Sequence, residues 1–431
     1  VTISGEGDLD WVVNNSFGTL WDLVVTDELH QIQNTGYNNA LTNLGIIAAT
    51  ENSSNAINNE ESFTTIINNG TISSNGSHAI HNNTSASITT LTNFGVISST
   101  NNNAINNIGL LSSITNTGTI SGGDYGINNT GTIGYISNTG SISDGNNIGI
   151  FNDDGTITTL DNSQSDLTYK GILPTNYNAI ISGPSDYGKI TFSDASGAIN
   201  FGVHASSTLA VGTYDSVMSG LSSSNLITTS GTVASPDACN DVNGTVASFS
   251  SNCADLDISG NNADVTINSG VTISGEGDLD WELDNSSGTL WDLVVTAQQD
   301  FINTGNNTSF FNAGNVSGSI THGIHNQGSF ETLINNGIIS SNDSHAINND
   351  ASAAITTLTN SGVISSVKSS SLNNTGTISS ITNTGTISGG DYGINNTGTI
   401  GYISNTVTIS AGNNIDIFND GGTITTLDNS Q

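Results

Sequence analysis

Thirty-seven acidic residues against three lysines and no arginine give this 431-residue chain a formal charge of −34, which disfavours nucleic acid and anionic membrane surfaces as partners. Apolar residues are only 34% and charged residues 9%, while glycine fills 50 positions, so the chain fits neither an average enzyme nor a Lys/Glu-rich disordered protein. No run reaches the ~18 apolar residues of a membrane-spanning helix, which argues against membrane insertion by this segment.

The first predicted element, residues 1–26, is a β-hairpin. The string VTISGEGDLDW at Val1–Trp11 recurs at Val271–Trp281, an offset of 270. In the second occurrence Trp281 and Trp291 flank Ser286 symmetrically, which predicts a cross-strand aromatic pair worth ~0.5–1.5 kcal/mol beyond burial. Trp11 and Trp21 are the matching pair near the start. Residues 1–26 therefore read as the tail of a β-domain whose body is absent. The chain also stops at TLDNSQ, where the first copy continues with SDLTYKG. Both ends suggest a window on a longer tandem array, or a subunit completed by its neighbour; export would need a targeting segment outside this sequence.

The second element, residues 27–165, is a predicted parallel β-solenoid. Turn-type glycines recur at Gly45, Gly70, Gly95, Gly118 and Gly140, in steps of 22 to 25 residues, and Gly109, Gly131 and Gly155 interleave with them. Thr-x-Ile and Ser-Ile pieces after each corner are short strands of period two. A fixed period with Asn/Gly corners predicts coils stacked about 4.7–4.9 Å apart. Ile120, Ile133 and Ile142 then form inward columns, and Asn116, Asn129 and Asn138 form amide ladders at the corners. Glycine is expected there for its left-handed backbone. Protruding loops such as Thr50–Ala56 are the expected carriers of ligand specificity.

Across residues 166–296 this rhythm fades into alternating strands with polar turns, predicting a small antiparallel β-domain. Asn243-Gly244 could turn a hairpin joining Cys239 and Cys253 in a disulfide, which points to an oxidising compartment and contributes about 3 kcal/mol. Residues 297–431 repeat the solenoid: Ser112–Thr139 recurs unchanged at Ser379–Thr406, an offset of 267. The fold class expected is all-β, with solenoid segments of ~22–25 residues per coil alternating with a small antiparallel domain.

The block NYNAIISGPSDYGKITFSDASGAINFGV, followed by NSSGTLWDLVV and flanked by Asn-Thr-Gly-Thr-Ile coils, resembles the passenger regions of bacterial autotransporter-type surface proteins. That resemblance implies a right-handed β-helix projecting from a Gram-negative-type cell, outside the cell or on its surface, and used in adhesion, aggregation or surface fibres. It transfers no catalytic residues.

The remaining chemistry is thin. A polysaccharide lyase of β-helix type needs a basic residue against its substrate's carboxylate, and the chain has no arginine. Asp153, Asp154 and Asp161 form the nearest carboxylate cluster for a glycosidase. Asp153 and Asp154 are also candidate Ca²⁺ ligands, in NDDG, and Ca²⁺ is the one cofactor considered. His78/His81 and His322/His325 have metal-like spacing, but the repeat does not preserve it: the first pair maps onto His345/Asn348. Paired threonines such as Thr64-Thr65 and Thr89-Thr90 raise an ice-binding alternative. The reading is a non-enzymatic extracellular fibre or adhesin of ~270-residue tandem units, whose partners are its own neighbours, head to tail, and surface glycans or other cells. The competing class is a carbohydrate-binding or carbohydrate-cleaving spike.

Overall fold

The computed structural model describes residues 2–3, 11–13, 22–25, 28–29, 31–50, 54–145, 147–233, 239–274, 279–297, 301–413 and 415–430. Among them the structure is all-β, and one 3₁₀ turn, Ser223–Asn225, is the sole helical element.

One coil shows how the sequence builds the rest. Ile105–Asn107, Leu110–Asn116 and Thr119–Gly122 are strands on three successive faces. Ile108-Gly109 and Thr117-Gly118 turn the first two corners, and the loop 123–126 turns the third. Leu111, Ile114 and Ile120 point inward; alternation is regular over Ile114–Asn116 and Thr119–Gly122 but breaks between Leu111 and Ile114, which are three residues apart, and the Ser and Thr between the buried positions are half-buried. The next coil repeats this in parallel register, Ile105 on Ile127, Leu111 on Ile133 and Ile120 on Ile142. Thus Ile120 and Ile142 share a column, while Ile133 belongs to the column of Leu111 and Ile157 on another face. These columns are the core: stacked Ile, Leu and Phe with almost no solvent exposure.

The chain divides into two compact units, residues 1–231 with 281–295, and residues 232–280 with 296–431. Each contains a parallel solenoid. In unit 2 the coil Leu372–Asn374, Thr377–Asn383, Thr386–Gly389 reproduces the coil above at an offset of 267.

The corner glycines correct one expectation. Gly118 and Gly140 have no left-handed backbone; a Cβ on Gly140 would instead collide with the carbonyl oxygen of Gly118, and one on Gly118 with that of Gly95. Glycine is required because successive corners lie directly over each other. Left-handed backbone occurs at only some other corners, at Asp154 (φ 60°) and Gly244 (φ 60°) for example.

Antiparallel pairing is also narrower than expected for residues 166–296. Leu167–Ile172 and Asn176–Ala179 stack in parallel on the coil before them, and Ile190–Ser196 and Ile199–Val203 stack in parallel on those. Residues 242–274 are parallel coils of unit 2. Among the described residues, antiparallel registers join Ile181–Gly183 with Asp186–Tyr187, and Gly212–Ser219 with the strand Leu290–Ala297, beside which Leu279–Ser287 lies. Period-two patterning is the same for parallel and antiparallel strands, and here Tyr169, Tyr177, Phe192 and Phe201 replace the Ile columns, which hides the coil rhythm. Each indole of the expected pair has its own partner: Trp281 packs edge-on against Phe201, centroids 5.4 Å apart, and Trp291 donates its Nε1–H to the Leu221 carbonyl at 2.9 Å.

Residues 1–26 likewise depart from a hairpin. Thr2–Ile3 pairs in parallel with Val24–Val25, Trp11–Val13 with Ile32–Asn34, and Asp22–Val25 with Ala40–Asn43. Trp21 lies outside the described residues, as do 51–53 of the loop Thr50–Ala56.

Candidate functional site

The most developed chemistry in the molecule is amide stacking. Asn43, Asn68, Asn93, Asn116, Asn138 and Asn162 line one corner, each Nδ2–H donating to the next Oδ1 at 2.7 to 3.0 Å. Asn34, Asn59, Asn82, Asn107, Asn129 and Asn152 do the same at a second corner, at 2.6 to 2.8 Å. Asn116 also donates to Ser141 O at 3.1 Å, and so bonds both the side chain and the backbone of the coil above. Of the asparagines expected to stack, Asn116 and Asn138 therefore share one ladder and Asn129 belongs to the other. Unit 2 repeats both ladders, from Asn303 to Asn419 and from Asn312 to Asn429. All are buried apart from the last amides, so each bond lies in low dielectric, where leaving it unmade is costly.

Sequence reasoning missed a third, outer ladder that runs the opposite way. Asn128 donates to Asn106 at 2.8 Å, and in unit 2 Asn395 donates to Asn373 and Asn373 to Asn348. Phe151 and Phe418 occupy the next position in register and end it, leaving the Oδ1 atoms of Asn128 and Asn395 without a partner among the described residues. Outward serines also form unbroken columns, Ser73–Ser98–Ser121–Ser143 in unit 1 and Ser274–Ser317–Ser340–Ser365–Ser388–Ser410 in unit 2. The signal for both was present as i-to-next-coil identity, visible only once the register is known. The threonine array is irregular by contrast: Thr65, Thr90 and Ser113 are followed by Tyr135, and Thr332, Thr357 and Ser380 by Tyr402.

The titratable groups are dispersed. Asp153 and Asp154 are exposed at the corner after Asn152, and among the described residues no group of three His, Cys, Asp or Glu side chains converges to hold a metal. Asp161 lies away from them, buried, accepting from the Tyr135 hydroxyl and from Asn178 Nδ2 at 2.7 Å, with His204 Nε2 at 3.4 Å. Burial raises the Tyr135 pKa, and Asp161 adds to the effect.

Both histidine pairs pack as rings. His78 and His81 stack at 5.2 Å; His322 meets His325 at 5.1 Å and stacks flat on His345, one coil further on, at 5.5 Å. Burial, then the neighbouring histidine, lowers His78 and His322 to about 4, and burial also lowers His345. His325 Nε2 is 2.9 Å from Asp350 Oδ2. The three lysines are occupied locally: Lys170 by Asp194 (3.2 Å) and Phe151, Lys189 by Tyr187, and Lys368 by Asp343 (2.6 Å).

Cys239 and Cys253 are bonded, with Cα atoms 5.0 Å apart, but Asn243-Gly244 does not form a hairpin between them. It is a solenoid corner, and the cysteines meet because the chain has travelled once around the coil.

Compared with models of known families, with curated proteins and with solved structures, the chain matches none of them.

Proposed function

We propose that this chain is a non-enzymatic structural or adhesive protein, a building block of an extracellular fibre made from ~270-residue tandem units, of the kind carried by autotransporter-type proteins on Gram-negative-type cells. One observation carries the reading: the repeat duplicates stacking contacts rather than a catalytic constellation. Asn116 to Asn138 at 2.8 Å becomes Asn383 to Asn405 at 2.7 Å, the Tyr135–Asp161 bond becomes Tyr402–Asp428, and the Tyr125/Phe151 ring pair becomes Tyr392/Phe418. Such contacts lengthen and stiffen a coil stack. In this reading ~270-residue units repeat head to tail with their neighbours. A disulfide suits an extracellular setting. The reading assigns the rigidity to amide and aliphatic ladders, with no calcium requirement.

Electron micrographs of the purified array test it. Uniform fibres with an axial repeat matching one ~270-residue unit support the proposal, and dispersed particles at all concentrations count against it. The competing carbohydrate-binding or carbohydrate-cleaving reading draws on the outward serine columns; retention on, or reducing-sugar release from, neutral matrix polysaccharides would favour it.

A further inference from the structure

The coil that opens unit 2 is a covalent ring. It runs from Cys239 through Val242–Asn243, Val246–Phe249 and Cys253–Ala254, one strand for each face, and the Cys239–Cys253 bond closes it. Among the described residues each strand is the terminal one of its sheet, paired on one side only, with Leu256–Ser259, Asp264–Ile267 and Thr272–Ser274 respectively. Unpaired strand edges are the sites at which β-structures accept further strands.

The ring coil also lies beyond the reach of the amide ladders. In register, Asn303 stands on Ile258 and Asn312 on Ile267, which stand in turn on Val242 and Phe249. Both ladders therefore end two coils from it, and the coil 256–274 between carries neither. The ring nevertheless covers Leu256, Ile258, Val265, Ile267 and Ile273, all 1% exposed or less, while its own Val246 is 79% exposed. Without amide stacking, and with strand pairing on one side, the disulfide is the feature that distinguishes this coil from a fraying end.

We infer that the Cys239–Cys253 bond is a redox-sensitive cap on unit 2: a dithiol reductant opens the ring, the first coil frays, and the three edges at 256–259, 264–267 and 272–274 accept the strands of a second copy of this chain. The chemistry balances. A thiolate of the reductant attacks one cysteine sulfur, the S–S bond breaks, the reductant's second thiol resolves the mixed disulfide, and two cysteine thiols and an oxidised dithiol result. Cys253, only partly buried, offers the point of attack. The occupant is a second copy because three short strands at these spacings, followed by glycine corners that stack, are what each coil of this chain supplies. The inference goes beyond the fibre proposal and stands whether or not units join end to end.

The test uses the full chain, reduced with dithiothreitol and alkylated with iodoacetamide so that no new disulfide can form. Amide exchange is followed by mass spectrometry and association by sedimentation velocity over a concentration series. Exchange over 242–274 is expected to rise at least about tenfold, with 377–405 unchanged, and the sedimenting species to grow from that of the oxidised chain. Two alkylated cysteines with unaltered exchange would overturn the proposal, as would faster exchange with no change in mass. The double variant Cys239→Ser, Cys253→Ser is expected to behave like the reduced chain without any reductant; should it not fold, the reduced natural chain decides alone.

Discussion

Gly140 lies directly over Gly118: the amide of Ser141 donates to the Gly118 carbonyl at 2.9 Å, and no Cβ fits on Gly140 without striking that carbonyl oxygen. The obstacle is backbone, which cannot swing aside as a flexible side chain can. Gly140→Ala is therefore expected to lower stability by about 1–3 kcal/mol, the range of overpacked cores. Gly183→Ala, where the added methyl meets nothing within 4 Å, is expected to be nearly neutral. Urea unfolding of the two variants side by side checks this, and equal midpoints would contradict it.

The ladders differ in what a deletion leaves behind. Asn116→Ala takes its donor from the buried Asn138 Oδ1, at about 1–3 kcal/mol, and removes one acceptor from Asn93 Nδ2, which keeps the Thr119 and Gly95 carbonyls at 3.1 and 3.2 Å. Asn128→Ala removes one donor from Asn106 and eliminates an oxygen that already lacks a partner among the described residues, so its expected cost is about 1 kcal/mol or less. Denaturant midpoints should rank the two in that order.

The stacked histidines make unit 2 sensitive to acid. His322 titrates at about 4 in the folded chain against an ordinary 6.5, so between those pH values the unfolded chain binds more protons. Stability from this group is thus complete above 6.5 and is lost as pH falls towards 4. His325, His345 and Asp350 face His322, and Asp350 partly offsets the loss. His322→Asn copies Asn55, its counterpart in the first copy. Melting temperature against pH is expected to fall less steeply for this variant between pH 6.5 and 4; parallel curves would contradict the assignment.

Most of the coil architecture was legible in the sequence because stacking repeats its own residues: Ile120 above Ile97, and Asn116 above Asn93, are written as a 23-residue period. The reach of the solenoid was not. Tyr169, Tyr177, Phe192 and Phe201 fill the same inward positions with rings, and the Asn-Gly rhythm that marks a coil disappears although parallel pairing continues. The disulfide partners were legible, but their route was not, since Asn243-Gly244 turns a corner between sheets as readily as it turns a hairpin. The histidine stack is invisible at the level of spacing, because His322 and His345 meet only when the 23-residue coil returns.

Spin-label distances along the outward serine column of unit 2 test the stacked-coil account most directly. With one label at Ser274 and the second moved through Ser340, Ser365, Ser388 and Ser410, the account predicts a separation that grows by about 4.8 Å at each step. A separation that stays level or changes irregularly along that series would contradict it.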